Sequence, residues 1–465
     1  METEVTLTFN AFNVLGVFGF ILIAYGLNRW IHRKNPKPVN WRLVGAGLLI
    51  QVFVALVVLQ PPVQHYVFKP IDSFVQKLLG FSEKGADFVF QSVDKHGALE
   101  YVVKKGPDGK VLLDASGNQI KELQQTTVIG RTNPAVKTFA FWVLPTVIFF
   151  SSIMSLLYFF GVMQPIVRVI ARVVQKVMGT SGSETTSCSA NIFMGQTEAP
   201  LVIKPFISGM TRSELHAVMT GGFGTVAGGV LAMYAAVLSG IPGIAGHLVT
   251  ASTMAAPGAL VISKIIYPET EESETMGELK TEVEVLDGNA IEAAARGAGE
   301  GTQLVINIVG MLIAFVALVA MLNSFFVDLI TPLVQSITGT TMVISFTNIL
   351  GWIFTPFAWL MGVPSQDCAV MGLMLGEKVV LTELLAYFHL SELVANGEIS
   401  YRTQILASYA LCGFANFASV GIQIGGIGGI APNRKADLAQ MGLSAMFAGV
   451  LVTCTTATIA GIFIG

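Results

Sequence analysis

Apolar segments of membrane length constrain the fold of this chain more than any other feature. A helix needs about 20 mostly apolar residues to cross a bilayer. Eight segments approach that length: residues 9–27, 43–60, 138–161, 216–238, 248–266, 303–327, 403–425 and 439–462. Because lipid offers the backbone no hydrogen-bond partners, such segments form helices. We therefore predict an all-α polytopic membrane protein with eight transmembrane helices, the first of them retained and not cleaved as a signal peptide.

The composition supports a membrane protein and argues against a nucleic-acid partner. Hydrophobic residues make up 53% of the 465 residues and charged residues only 12%, whereas a soluble chain carries about 25% charged residues. The net charge of −3 offers no basic surface for nucleic acid. The four cysteines lie far apart without CxxC spacing, so the pattern indicates neither a zinc site nor a disulfide framework.

Basic loops predict the orientation of these helices. Arginine and lysine cluster after the first and third segments and before the last one, and the positive-inside rule places such short loops in the cytoplasm. Both termini then lie outside, and we expect the membrane to be a bacterial inner membrane, with the termini in the periplasm. The long outer segment, residues 61–137, is predicted to contain an interfacial helix and a β-hairpin with strands at 99–103 and 111–113.

Two apolar stretches, residues 185–210 and 348–390, carry polar and helix-breaking residues at their centres and do not fit as ordinary spans. Such sequence is tolerated at membrane depth where it is packed in protein, so both are predicted to be re-entrant helical hairpins. The Thr197-Glu198 and Thr382-Glu383 pairs mark their tips. Each hairpin precedes a broken span and an intact one. On the predicted topology the hairpins open from opposite sides, which makes the two units inverted repeats, a pattern typical of secondary transporters.

Several ordered motifs carry a family resemblance. They are Gly195-Gln-Thr-Glu-Ala-Pro200, Ser213–Gly222, Met254–Gly258, Gly362–Pro364, Gly376–Lys378 and Leu411–Asn416. From about residue 138 onward the chain resembles the concentrative nucleoside transporter family. The resemblance implies a homotrimeric, cation-coupled importer and not an enzyme. In this family a transport domain moves like an elevator against a trimerising scaffold in the lipid bilayer.

The predicted domains follow from these segments. The scaffold comprises residues 1–60, 138–161 and 303–327, and the transport domain comprises residues 185–266 and 348–465. Four connecting segments complete the chain: the periplasmic segment 61–137, an amphipathic connector at 162–184, an acidic cytoplasmic connector at 267–302 and a periplasmic connector at 328–347.

The residue types at the hairpin tips suit a nucleoside. Gln196 and Thr197 can satisfy the edge of a base, and Glu383 with Asn416 can bind a ribose diol. The resemblance places nine residues in the substrate site: Gln196, Thr197, Glu198, Val230 and Leu304 around the base, Glu383, Asn416 and Ser419 around the ribose, and Phe414 lining the cavity.

A sodium site is predicted beside the first hairpin tip. Side-chain oxygens of Asn191 and Thr225, with carbonyls of Met194, Thr225 and Val226, would give the all-oxygen shell that a hard cation prefers. These positions match the family's sodium site. Proton coupling, with Glu198 as the nearest titratable group, is the alternative. An ion channel or an intramembrane enzyme fits less well, because the two tips differ in chemistry and the chain has no HExxH motif.

Overall fold

The computed structural model describes residues 9–90, 98–105, 107, 110–112, 119–126, 138–276, 287–339, 341 and 343–464. Residues up to Leu79 together with those from Thr146 onward form one compact unit, and Gly80–Pro145 form a second. The described residues are helical except for a two-stranded sheet and the connecting turns.

Nineteen α-helices are present in the described residues. The first six are α1 (Ala11–Ile31), α2 (Trp41–Val58), α3 (Pro61–Val63), α4 (Lys69–Phe90), α5 (Leu144–Phe159) and α6 (Met163–Met178). The next six are α7 (Gly182–Ala190), α8 (Lys204–Ile207), α9 (Arg212–Gly224), α10 (Gly228–Val237), α11 (Ile244–Ile266) and α12 (Ala290–Phe325). The last seven are α13 (Thr331–Thr338), α14 (Phe346–Leu360), α15 (Cys368–Val380), α16 (Glu383–Asn396), α17 (Tyr401–Ala410), α18 (Phe417–Ile430) and α19 (Lys435–Ala460).

Six helical segments within the described residues are long and apolar enough to cross a membrane. They are Ala11–Ile31, Trp41–Val58, Arg212–Val237, Ile244–Ile266, Ala290–Ile337 and Pro432–Ala460. The predicted span 138–161 falls on α5, which has only 16 residues and bends by 79° into α6. The predicted span 403–425 is divided between α17 and α18. The count of eight crossings therefore stays a prediction.

The amphipathic connector predicted at 162–184 contains helix α6. Its buried residues are Met163, Val167, Ala171, Val174 and Met178, spaced three or four apart along one face. The helix ends where Gly179 takes a left-handed conformation with φ of 71°, which is the usual helix terminator. Residue 182 then begins α7, the first arm of the first hairpin.

Side-chain caps fix where the hairpin and span helices begin. Thr211 accepts a hydrogen bond from the Glu214 amide at 3.1 Å, and Glu214 accepts one from the Thr211 amide at 2.8 Å, so α9 opens with a reciprocal capping box. Asn416 caps α18 by accepting from the Ser419 amide at 2.9 Å. Each cap satisfies a backbone donor that a buried helix end would otherwise leave unpaired.

The second predicted hairpin, 348–390, needs correction at its boundaries. Three helices, α14, α15 and α16, occupy this region, and α14 packs antiparallel along α15. The sharp junction lies at 381–382, between α15 and α16. Close packing of the first pair depends on small residues, since a Cβ at Gly372 would come 2.7 Å from the Gly351 carbonyl oxygen. The region is thus three helices and not two, and the re-entrant character of any of them stays a prediction.

The acidic connector predicted at 267–302 is also partly wrong. Helix α12 begins at Ala290, capped by Asn289, so the last third of that stretch is helical. At the other end, the strap formed by residues 267–276 packs on the protein. The Thr275 carbonyl accepts from the Gly182 amide at 2.8 Å, and Ser273 donates to Glu214 at 2.5 Å. Ser273 and Glu214 are 59 residues apart, and the composition of a Glu-rich segment gives no sign of such a contact.

The predicted β-hairpin has a different partner strand. Strand β1 (Ala98–Val103) pairs antiparallel with β2 (Lys121–Thr126), so that Tyr101 lies opposite Leu123. Val111, placed by the sequence in the second strand, instead forms an isolated bridge with Lys105. Most of the Gly-Pro-Asp-Gly signal lies outside the described residues, and the register of β1 is set by a partner strand that lies further along the chain.

Two buried asparagines of α1 attach this helix to helices later in the chain. Asn13 on α1 is fully buried and donates to the carbonyls of Met361 at 2.7 Å and Thr458 at 3.0 Å. Asn28, one helix end away, donates to the Ile265 carbonyl at 2.9 Å. Helix α2 likewise packs along α11. Such buried polar contacts are costly to break, so α1 is joined firmly to α11, to α19 and to the end of α14.

Candidate functional site

Four interruptions of regular helix lie close together at the centre of the larger unit. The first hairpin is irregular from 191 to 198, and α9 and α10 are separated at 225–227. In the second half, α15 meets α16 at 381–382, and α17 and α18 are separated at 411–416. Interrupted backbone exposes peptide groups that are free to bind a ligand, which is why such breaks form binding sites in membrane transporters.

The break between α9 and α10 lies very close to the break between α17 and α18. A Cβ at Gly413 would lie 2.7 Å from the Phe223 carbonyl oxygen, at the end of α9. A Cβ at Gly449 on α19 would also come close to Phe223, at 2.5 Å from its Cβ. Glycine is therefore required at Gly413 by the close approach of another backbone. This contact, which we call the crossing of the breaks, joins the two predicted repeats.

Glu383 is the centre of the predicted ribose side. It is the first residue of α16 and is 5% exposed. Its Oε1 accepts from the Tyr234 hydroxyl at 2.5 Å, and its Oε2 accepts from the Asn416 amide nitrogen at 2.9 Å. Because Asn416 also caps α18, its side chain is held in one orientation. The structure thus brings Glu383 and Asn416 together as the sequence predicts.

The base side is continuous with this cluster through Ser419. Gln196, at the first hairpin tip, donates to Ser419 Oγ at 3.3 Å. Its Oε1 accepts from Gln423 Nε2 at 3.0 Å, and Gln423 also donates to the Met219 carbonyl at 3.1 Å. Gly222 makes room for this pair, since a Cβ there would meet Gln423 at 2.7 Å and Gln196 at 2.9 Å.

Thr197 and Glu198 form a separate pair beside this chain of hydrogen bonds. Thr197 Oγ1 donates to Glu198 Oε1 at 3.0 Å. Glu198 Oε2 is buried and has no hydrogen-bond partner among the residues that the structure describes. Helix α18 passes close by, since a Cβ at Gly426 would come 2.7 Å from Thr197 Cγ2. The pair therefore faces the same region as Gln196 and keeps one acceptor oxygen free.

The three apolar residues differ in their surroundings. Val230 is 2% exposed and lies one turn before Tyr234 on α10, so it shares the face that meets Glu383. Phe414 is half-buried in the break before α18, two residues from Asn416. Leu304 is half-buried on α12, and its contact with a substrate stays a prediction.

The predicted ion position holds an unpaired amide. Asn191 ends α7 and is fully buried, yet neither its Oδ1 nor its Nδ2 has a hydrogen-bond partner in the described part of the chain. It faces α9, because a Cβ at Gly221 would lie 3.6 Å from Asn191 Nδ2. Buried amides without partners are rare and costly. An ion bound there would remove that cost for Oδ1.

The other three predicted ligands lie at the two neighbouring breaks. Thr225 is the residue that ends α9; it is 1% exposed, and its hydroxyl donates to the Gly221 carbonyl at 2.8 Å, which leaves the oxygen able to accept or coordinate. Val226 follows it in the break, and Met194 lies in the irregular tip. The residues present therefore fit a hard cation, through Asn191 and Thr225 side chains and carbonyls that no helix uses.

Comparison with known proteins bears on these observations. Three family models match: "Na+ dependent nucleoside transporter N-terminus" over residues 15–93, "Nucleoside recognition" over residues 140–240 and "Na+ dependent nucleoside transporter C-terminus" over residues 247–461. The uncharacterized transporter YutK of Bacillus subtilis is 38% identical over 455 residues, which cover 97% of this chain and 98% of that protein.

The chain belongs to the concentrative nucleoside transporter family. Sodium/nucleoside cotransporter 1 of Rattus norvegicus is 38% identical over 446 residues, which are 92% of this chain but 61% of that longer protein. The structure of CNTnw in an inward-facing substrate-bound state superposes with a TM-score of 0.79 at 36% identity, covering 97% of each chain. This family member is thus a multi-pass membrane transporter and not an enzyme, as the sequence predicts.

Sequence reasoning missed two residues of the site in this family member. Tyr234 binds Glu383, and Gln423 holds Gln196. Both were detectable in principle, because Tyr234 lies four residues after Val230 and Gln423 four residues after Ser419. That spacing places each on the same helix face as a residue that the resemblance had selected.

Proposed function

We propose that this protein is a sodium-coupled nucleoside symporter that imports nucleosides across a bacterial inner membrane. The observation that carries the proposal is the chain of hydrogen bonds from Tyr234 through Glu383, Asn416 and Ser419 to Gln196. It presents the Glu383 carboxylate on one side and the Gln196 amide on the other. The two groups come from different halves of the chain. A nucleoside needs this asymmetry, since a charged acceptor suits the ribose hydroxyls and an amide suits the base edge.

The ion is proposed to bind at Asn191, Thr225, Met194 and Val226. The unpaired Asn191 amide supports this position, and sodium requires no titratable group there. When bound, sodium would supply positive charge between the first hairpin and the end of α9. The chain's own residues hold those two elements against each other, so that binding of ion and substrate is coupled through the hairpin tip.

Proton coupling is the second candidate, favoured by one observation. Glu198 Oε2 is buried and unpaired within the described residues, and Glu198 adjoins Thr197 at the same tip. A carboxyl group in that position could carry a proton in place of an ion. The two candidates differ in the gradient that drives uptake.

Uptake into proteoliposomes separates these candidates. We expect labelled uridine to accumulate when an inward sodium gradient is imposed at constant pH. Uptake without sodium that follows an imposed proton gradient would contradict sodium coupling and favour Glu198. A flux that does not saturate and shows no counterflow would contradict a carrier altogether.

The transport domain is proposed to move as an elevator within a homotrimer. Its repeats are joined by the crossing of the breaks, which supports movement as one body. Helices α5 and α12 are proposed to form the scaffold; Gly297 and Gly301 allow them to approach closely. The bonds of Asn13 and Asn28 favour α1 and α2 moving with the transport domain, which departs from the sequence-based assignment to the scaffold.

A cysteine pair that locks the first hairpin to α12 tests this movement. We expect the locked protein to bind uridine but not to transport it, because the domain cannot slide. Reduction of the disulfide should restore transport. Unimpaired transport in the oxidised protein would contradict the elevator.

A further inference from the structure

The C-terminal end of α17, where the second break begins, lies against a buried ammonium group. Lys378, on α15, has no exposed surface. Its Nζ donates to the Ala410 carbonyl and to Thr453 Oγ1, each at 2.8 Å. Lys378 forms no salt bridge with any carboxylate that the structure describes. Glu383 attracts this ammonium group electrostatically without forming an ion pair with it. A buried charge that no carboxylate contacts is costly, so the position calls for a physical reason.

The negative partner of Lys378 is the end of a helix. Ala410 is the last residue of α17, and the chain is not helical again until Phe417. The last carbonyls of a helix lack intrahelical donors and carry about half an elementary negative charge. Lys378 therefore neutralises the C-terminal end of α17 at the point where the second break begins.

The first repeat has the same construction with a different side chain. There α9 ends at Gly224 before its break, and the residue that meets this region from the hairpin arm is Asn191 at the end of α7. Both arms, α7 and α15, end beside the first half of an interrupted helix. One arm presents a neutral amide with two unpaired atoms, whereas the other presents a charged amine whose bonds are made.

We propose that the Lys378 ammonium is a built-in cation that takes, in the second repeat, the place that an exchangeable coupling cation takes in the first. The inference rests on the proposed function and deepens it, because it assigns a single exchangeable cation to each transport cycle. Lys378 acts as a positioning residue: it holds the end of α17, from which Phe414 and Asn416 follow. The second repeat thus needs no ion to order its half of the site.

Exchange of Lys378 for the side chain of the first repeat tests this directly. In Lys378→Asn the ammonium is removed, and the shorter side chain leaves space for an ion beside the Ala410 carbonyl and Thr453 Oγ1, with the amide oxygen facing that space. We expect this variant to lose at least about tenfold in uridine uptake at low sodium and to regain it at high sodium. The slope of its sodium activation curve should exceed that of the wild type by about one. Lys378→Arg keeps the charge and should retain the wild-type slope.

Lys378→Met supplies the matched negative control, because it removes the charge and provides no oxygen. We expect its uptake to stay low at every sodium concentration. The inference is overturned if active Lys378→Asn keeps the wild-type slope, or if high sodium restores neither its uptake nor its thermal stability in detergent. A wild-type slope of zero would refute sodium coupling in the proposed function. Even then, the role of Lys378 would be decided by the difference in sodium-activation slope between Lys378→Asn and the wild type.

Discussion

Asn191→Leu is expected to abolish sodium-driven uridine uptake. Leucine is branched at Cγ like asparagine but offers no oxygen, so the substitution removes the unpaired amide that faces α9. An interaction with a charged group contributes about 1.5–3 kcal/mol, which corresponds to a roughly ten- to hundredfold loss of sodium affinity. The measurement is the initial rate of uptake into proteoliposomes across a series of inward sodium gradients at constant pH.

Asn348→Leu is the matched control for this change. Asn348 is exposed on α14, and its amide donates to the Val343 carbonyl at 3.3 Å, away from both breaks. Its substitution should leave the sodium dependence unchanged. If Asn191→Leu folds and keeps the same half-activating sodium concentration as the wild type, Asn191 does not bind the coupling ion.

Glu383→Gln is expected to weaken uridine binding by about ten- to hundredfold or to abolish uptake. The carboxylate accepts two hydrogen bonds from the protein, and a hydrogen bond from a ribose hydroxyl to a charged acceptor contributes about 1.5–3 kcal/mol. Binding is measured by displacement of labelled uridine from the purified protein. On the same reasoning, 2′- or 3′-deoxyuridine should compete less well than uridine for the wild-type site.

Glu377→Gln separates a substrate role from a structural one. Glu377 lies on α15, on the same hairpin, and accepts from His389 Nδ1 at 3.0 Å, outside the chain of hydrogen bonds around Glu383. This substitution should preserve uridine affinity. Normal affinity in Glu383→Gln, or equal competition by both deoxy analogues, would contradict a ribose-diol site at Glu383.

The sequence predicted most of the helical organisation, because apolar length and polar interruption are local signals. The ends of α1 and α2, the amphipathic helix α6 and the polar hairpin tips can all be read from neighbouring residues. The prediction was wrong where long-range packing decides the outcome. The pairing of β1 with β2 depends on a partner strand further along the chain. The start of α12 at Ala290 is different, because its cap, Asn289, is a local signal that the sequence analysis did not use.

The candidate site shows the same division. Motif positions identified Glu383, Asn416, Gln196 and Ser419, which the structure links by hydrogen bonds. The spacing of Tyr234 after Val230 places it on the same face of α10, but its bond to Glu383, 149 residues further along the chain, is not a local signal. The charge of Lys378 was visible in the sequence, but its partner is a backbone carbonyl, which no side-chain motif records.

The contact of Gly413 with Phe223 has a consequence for how the binding site gains access to either side of the membrane. Parting the two repeats would pull main-chain groups at this contact away from their neighbours and expose them to a narrow gap. We therefore expect that opening a crevice between these two segments is costly. The contact thus favours a mechanism in which both halves of the site move together as one rigid body past a fixed part of the protein. It disfavours a mechanism in which the halves separate to open the site first to one compartment and then to the other.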